Sequence, residues 1–167
     1  MDLLSQREAM IVPSSPGRQP LALDLRSILS AESRLHEIQL ASKMRSGELL
    51  HLFNSACLDC KKAVNQLSTE KNYVERHVAR VRSVALFDKL PEVLKQKGLA
   101  NARSPLGSED IREAFLATDA DFGKAQDLLA EIVAAIEFFE IRYKAFERAY
   151  YATYRLTDKH NTGENFV

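Results

Sequence analysis

The chain has no tryptophan, two cysteines, six glycines and five prolines in 167 residues. So little glycine and proline, beside plentiful Ala, Leu, Glu, Lys and Arg, suits helices. No stretch shows strand alternation between hairpin turns, so a sheet is not expected. No apolar run nears the roughly 18 residues that span a bilayer, which excludes a membrane partner of that kind. Acidic Asp2 and the lack of an apolar run before Pro13 exclude a secretory signal. Two cysteines without such a signal point to a reducing compartment, the cytoplasm.

Motifs of catalysis are also missing. There is no glycine-rich phosphate cradle and no nucleophile elbow. The four histidines, His36, His51, His77 and His160, form no helical metal pair. Cys57-Leu58-Asp59-Cys60 has the spacing of a redox dithiol or half a zinc site. A second cysteine pair and a preceding strand are both lacking, so Cys60 reads as a packing residue with Cys57 beside it. Glu131, Glu137 and Glu140 read as solvating residues on a helix. No catalytic residue, no metal and no cofactor is expected, and the chain reads as a non-enzyme.

Net charge is zero, but its distribution is uneven. Residues 71–103 hold eight Lys/Arg against three acids, and residues 109–140 hold nine Asp/Glu against two bases. Laid antiparallel, the blocks partly neutralise each other. If the bases share an exposed face, they make a polyanion site.

What is present is helical periodicity. Residues 1–20 read as an extended arm, because Pro13, Pro16, Gly17 and Pro20 exclude a regular helix. Leu3, Leu4, Met10 and Ile11 suit a short amphipathic helix at its start. Such an arm rests on its own body or on a neighbouring subunit, and the reading favours a neighbour. A helical pattern begins near Leu21 with Leu25, Ile28, Leu29, Leu35 and Ile38. Gly47 is placed to bend or break it. The stripe resumes as Leu49, Leu52, Ala56, Cys60, Ala63, Leu67, Val74, Val78, Val81 and Ala85, a rod of about 55 Å. Pro91 interrupts the rod and Gly98 ends it. Ser108 caps a short helix with Glu109 and Asp110 in its first turn, and Thr118 or Asp119 caps the next.

That last helix has the clearest pattern. Phe122, Ala125, Leu129, Ile132, Ile136, Phe139, Tyr143, Phe146, Tyr150 and Thr153 alternate spacings of three and four. This is a heptad seam. A second row, Leu128, Ala135, Phe138, Ala145, Ala149 and Ala152, widens it, which favours a bundle or homo-oligomer over an isolated helix pair. The expected fold is all-α: a long antiparallel helical hairpin or coiled coil with short helices at the elbow and an N-terminal arm. Its helical domain spans 21–157, with long helices at 48–88 and 119–157, an elbow at 91–117 and a polar tail at 158–167. Leu129, Ile132, Ile136, Phe139, Tyr143, Phe146 and Tyr150 are the expected oligomer or helix-packing seam.

Lys71, Arg76, Arg80, Arg82 and Lys89 follow one another on the first long helix, with Arg76 and Arg80 one turn apart. Cations along a helix can track phosphates with salt-dependent, sequence-independent affinity. Tyr73 and Phe87 are nearby rings that can stack on bases or pack in a core.

The order of these elements resembles a family. The long helix, the Gly98-Leu99 turn, the start at Ser108-Glu109-Asp110-Ile111-Arg112-Glu113-Ala114 and the aromatic-rich final helix are similar to the UvsY-type recombination mediators of tailed phages. The likeness covers residues 74–154. It implies a small helical oligomer in the host-cell cytoplasm that binds single-stranded DNA. Such a protein helps load a strand-exchange recombinase onto DNA covered by single-strand-binding protein. On that likeness Arg76, Arg80, Arg82 and Lys89 take the phosphate-contacting role. The proline-containing arm departs from the family. It suits the alternative, a structural or scaffolding subunit of an assembly such as a phage particle.

Overall fold

The computed structural model describes residues 8–40, 43–99 and 106–162. The fold is all-α with one small sheet. In chain order the elements are β1 (Ala9–Val12), β2 (Leu21–Asp24), α1 (Arg26–Ser33), a 3-10 turn (Leu35–Leu40), α2 (Lys43–Val84), a π turn (Ala85–Lys89), α3 (Leu90–Gln96), α4 (Glu109–Thr118) and α5 (Ala120–Thr162). The chain forms two compact units. The first comprises residues up to Val12, Leu21–Ser68 and the chain from Ala134 onward; the second comprises Pro13–Pro20 and Thr69–Val133.

The helix α2 owes its path to a strict repeat. Its buried positions are Ser46, Leu49, Phe53, Ala56, Cys60, Ala63, Leu67, Glu70 and Val74. They alternate spacings of three and four, which keeps one seam facing a partner helix. The helix α5 answers with Ala125, Ile132, Phe139, Phe146 and Thr153, all buried and seven apart. In the first unit the two helices pack antiparallel. Phe53 stacks on Phe146 at 6.5 Å between ring centroids. Lys61, eight residues further along α2, lies 4.8 Å from the ring of Tyr143, three residues back along α5.

Several expectations are corrected. The segment 21–24 is a strand, not a helix start, and Met10 and Ile11 lie in its partner strand rather than in a short helix. The two pair antiparallel in the register Ala9↔Asp24 and Val12↔Leu21. Four residues are too few to show alternation in sequence. The pairing nonetheless satisfies the facing backbone groups of both segments, and Val12 and Leu23 are buried. The Asp24 carboxylate accepts from the Arg26 backbone N–H at 2.9 Å, an Asx turn that leads from β2 into α1. Leu3 and Leu4 lie outside the described residues.

Gly47 does not break α2. It sits on an exposed face of the helix, where the i−4 ladder carries it. Pro91 does not break the rod either. A proline ring collides with the carbonyl four residues back and lacks the N–H for that bond. The turn before it widens: the Leu90 N–H donates to the Ala85 carbonyl, five residues back. That π turn carries the backbone past Pro91 into α3. The helix then ends on Gly98 at φ +66°. The Leu99 N–H donates to the Leu94 carbonyl at 2.9 Å and the Gly98 N–H to the Lys95 carbonyl at 3.1 Å, a Schellman closure.

Asp158 belongs to α5, which runs to Thr162, so the expected polar tail begins as helix. Phe166 and Val167 lie outside the described residues.

Candidate nucleic-acid interface

The second unit carries the basic stretch. Arg76 and Arg80 are both exposed, one turn apart on α2. Arg82 is exposed as well, but two residues from Arg80 it points away from their line. None of the three has an ion pair among the described residues. Lys71 is half-buried, 3.5 Å from Glu75 on the same helix.

Lys89 is different. It sits in the π turn, and its Nζ donates to Asp119 at 2.8 Å and to Asp121 at 2.6 Å. Those hydrogen bonds, Asp119's first, raise the Lys89 pKa. The same bond from Lys89, then the Phe122 N–H, holds the Asp119 carboxyl below the usual aspartate value. Of the five expected cations, Lys89 is therefore the one joined to the acidic block. Among the described residues the two blocks meet at Lys89 and do not cancel along their length.

The loop 13–20 adds a cation that helix periodicity could not show. The Arg18 guanidinium lies 4.2 Å from the Tyr73 ring centroid, and Arg76 lies 5.8 Å from the same ring. Both distances are in the range of a cation–π contact. Arg18 is fixed from behind by Glu70, whose Oε2 accepts from Arg18 Nε at 2.9 Å. Glu70 Oε1 accepts from the Ser15 backbone N–H at 2.8 Å. This carboxylate is 1% exposed and occupies a heptad position of α2. The loop 13–20 thus rests on its own chain at Glu70. Tyr73 serves as a platform for guanidinium groups, while Phe87 on the π turn is an exposed ring.

Next to this face lies a groove of about 470 Å³. Val81 and Val84 of α2 and Ala125 and Leu128 of α5 form its floor. Arg80 and Lys124 stand on its rim. Lys124 escaped the sequence reading because it is embedded in the acidic block.

The expected seam residues divide by row. Ile132, Phe139 and Phe146 are fully buried within the chain. Leu129, Ile136, Tyr143 and Tyr150 are half-buried. The Tyr143 hydroxyl donates to Glu147 at 2.7 Å.

The cysteines are free thiols in the first unit. Burial, and then Cys57, push the Cys60 thiol up to about 12. Burial also raises Cys57, whose Sγ lies 3.9 Å from the Tyr143 carbonyl oxygen. Neither supplies a thiolate at neutral pH. Among the described residues no group of three His, Cys, Asp or Glu is placed to hold a metal ion. No described helix is long and apolar enough to cross a membrane.

Compared with known protein families, curated proteins and solved structures, the chain matches none, so its likeness to the UvsY-type mediators rests on the residue pattern alone.

Proposed function

We propose that this chain is a non-enzymatic accessory protein that binds single-stranded DNA through the basic face of its second unit and helps a strand-exchange recombinase to load. The observation that carries the reading is the pair Arg76 and Arg80, exposed, one turn apart and without ion pairs among the described residues, with Arg18 held by Glu70 beside Arg76 over Tyr73. Unpaired guanidinium groups on a rigid helix gain affinity from phosphates by releasing counterions, whatever the base sequence. The loop 13–20 extends the same face beyond the helix. The recombinase and the single-strand-binding protein enter as partners through the family likeness.

The test is oligo-dT binding by fluorescence anisotropy across a salt series, with the wild type and the Arg76→Glu/Arg80→Glu double variant. Both side chains are exposed, so the variant keeps its fold. Its affinity is expected to fall by about tenfold or more. The slope of log affinity on log salt should flatten by about 1.4, the share of two phosphates on a single strand. Absence of binding at low salt, or an unchanged slope in the variant, refutes the reading.

A second reading has its own observation. Ile11, Leu58 and Ile141 in the first unit are 60–66% exposed. They are the side chains that a structural or scaffolding subunit would use in assembly.

A further inference from the structure

The groove of the second unit has a two-sided design that a mere charged face does not need. On α2, Arg80 precedes Val84 by four residues; on α5, Lys124 precedes Leu128 by four. Each helix thus offers a cation and then, one turn on and on the same side, an apolar residue. Lys89, just past the end of α2, meets Asp119 and Asp121 at the start of α5, so along this groove the two helices run antiparallel. The two cations therefore fall at opposite ends of the shared apolar floor.

Neither Arg80 nor Lys124 has an ion pair among the described residues. Lys89, which also lines the groove, has its charge taken up by Asp119 and Asp121. The floor is open: Val84 is 42% exposed. The volume of about 470 Å³ falls within the range of pockets that accept a molecule of nucleotide size, roughly 300–1,000 Å³.

We infer that this groove takes one unstacked base of a bound single strand on its Val81–Val84–Ala125–Leu128 floor, with the phosphates on either side of that nucleotide held by Arg80 and Lys124. The inference rests on the single-strand reading above and adds a base contact to a surface otherwise argued only for its charge. A base offers a flat apolar face to the floor, and its flanking phosphates are the anions that the two cations beside that floor would take. Such a contact is tolerant of sequence, because every base has a face to bury.

The experiment compares oligo-dT with an abasic deoxyribose-phosphate oligomer of equal length, using wild type and Val84→Lys. The lysine fills the groove, adds positive charge and stands at an already exposed position. Wild type is expected to bind oligo-dT about fivefold or more tightly than the abasic oligomer at the same salt. In Val84→Lys that ratio should fall to about one, while the abasic oligomer binds as well as before or better. A 2-aminopurine in the strand should change its emission on binding wild type, and much less with the variant.

If wild type binds both oligomers equally, the base contact is wrong and the charged face stands. If neither oligomer binds at low salt, the single-strand reading itself fails. A variant that keeps the wild-type ratio places the bases elsewhere and overturns the groove. So does a change in oligomer mass caused by Val84→Lys without DNA, since the groove would then be seating a second copy.

Discussion

At the scale of single residues, Glu70 is the position where local rules are broken. Its place in the α2 repeat calls for an apolar side chain, and it is nearly inaccessible to water. It persists because the loop 13–20 brings it two donors, the Ser15 N–H and the half-exposed Arg18 Nε. The two ends of this pair are not equivalent. Removing Arg18 strands a buried carboxylate on one remaining donor, which costs about 3 kcal/mol or more. Removing Glu70 strands only the buried Ser15 N–H, about 1–3 kcal/mol, while Arg18 turns to solvent. Leucine at position 70 recovers part of that through seam burial. Urea unfolding should rank the losses Arg18→Ala above Glu70→Ala above Glu70→Leu. A Glu70→Leu loss larger than that of Arg18→Ala contradicts the account.

At the scale of elements, Asp119 joins three of them. It ends α4, and its Oδ1 accepts from the Phe122 N–H at 2.9 Å to cap α5. Its Oδ2 holds Lys89 of the π turn. Asp119→Ala is expected to cost about 1–2 kcal/mol, the worth of a well-placed cap. The sign with pH follows from the depressed Asp119 pKa. Its stabilisation is full above the ordinary aspartate value of 3.8 and is lost as pH falls through the lower folded value. The gap between wild type and variant should therefore hold from neutrality to about that value and close below it. A gap that persists in stronger acid assigns the effect to something other than the carboxylate.

Much of this element plan was legible in the chain. Ser108 caps α4, its Oγ accepting from the Ile111 N–H at 3.4 Å; Gly98 closes α3; Asp119 opens α5. These signals are local, and each needs only its own few residues. What stayed illegible depends on distant partners. The strand 21–24 exists because 9–12 pairs with it across a proline-rich loop. Phe53 rather than Leu52 faces the seam, a difference of one residue that neighbouring apolar side chains cannot resolve in sequence. Glu70 is a polar residue set in the apolar repeat, and Arg18 and Lys124 reach the basic face only through the fold. Of the candidate site, Arg76 and Arg80 could be read in sequence, whereas the groove could not.

At the scale of the molecule, the question is which surfaces the chain satisfies alone. The α5 repeat is long enough to suggest a partner in another copy. Yet its central row is already covered: Phe146 is fully buried and stacked on Phe53 of the same chain. Truncation there leaves a cavity inside one molecule, so Phe146→Ala should cost about 3–5 kcal/mol. The penalty should be the same over a roughly hundredfold range of protein concentration, because mass action bears only on contacts between molecules. The penalty, not the unfolding midpoint, is the informative quantity. Association through Ile141 or Leu58 would raise the midpoint of both proteins together and leave their difference fixed. A seam shared between copies would instead make the loss depend on concentration, since the variant would also weaken the assembly. Chemical denaturation of both proteins at the two extremes separates these cases. A concentration-dependent penalty moves the α5 seam from the core of the chain to an interface and turns the balance toward the structural-subunit reading.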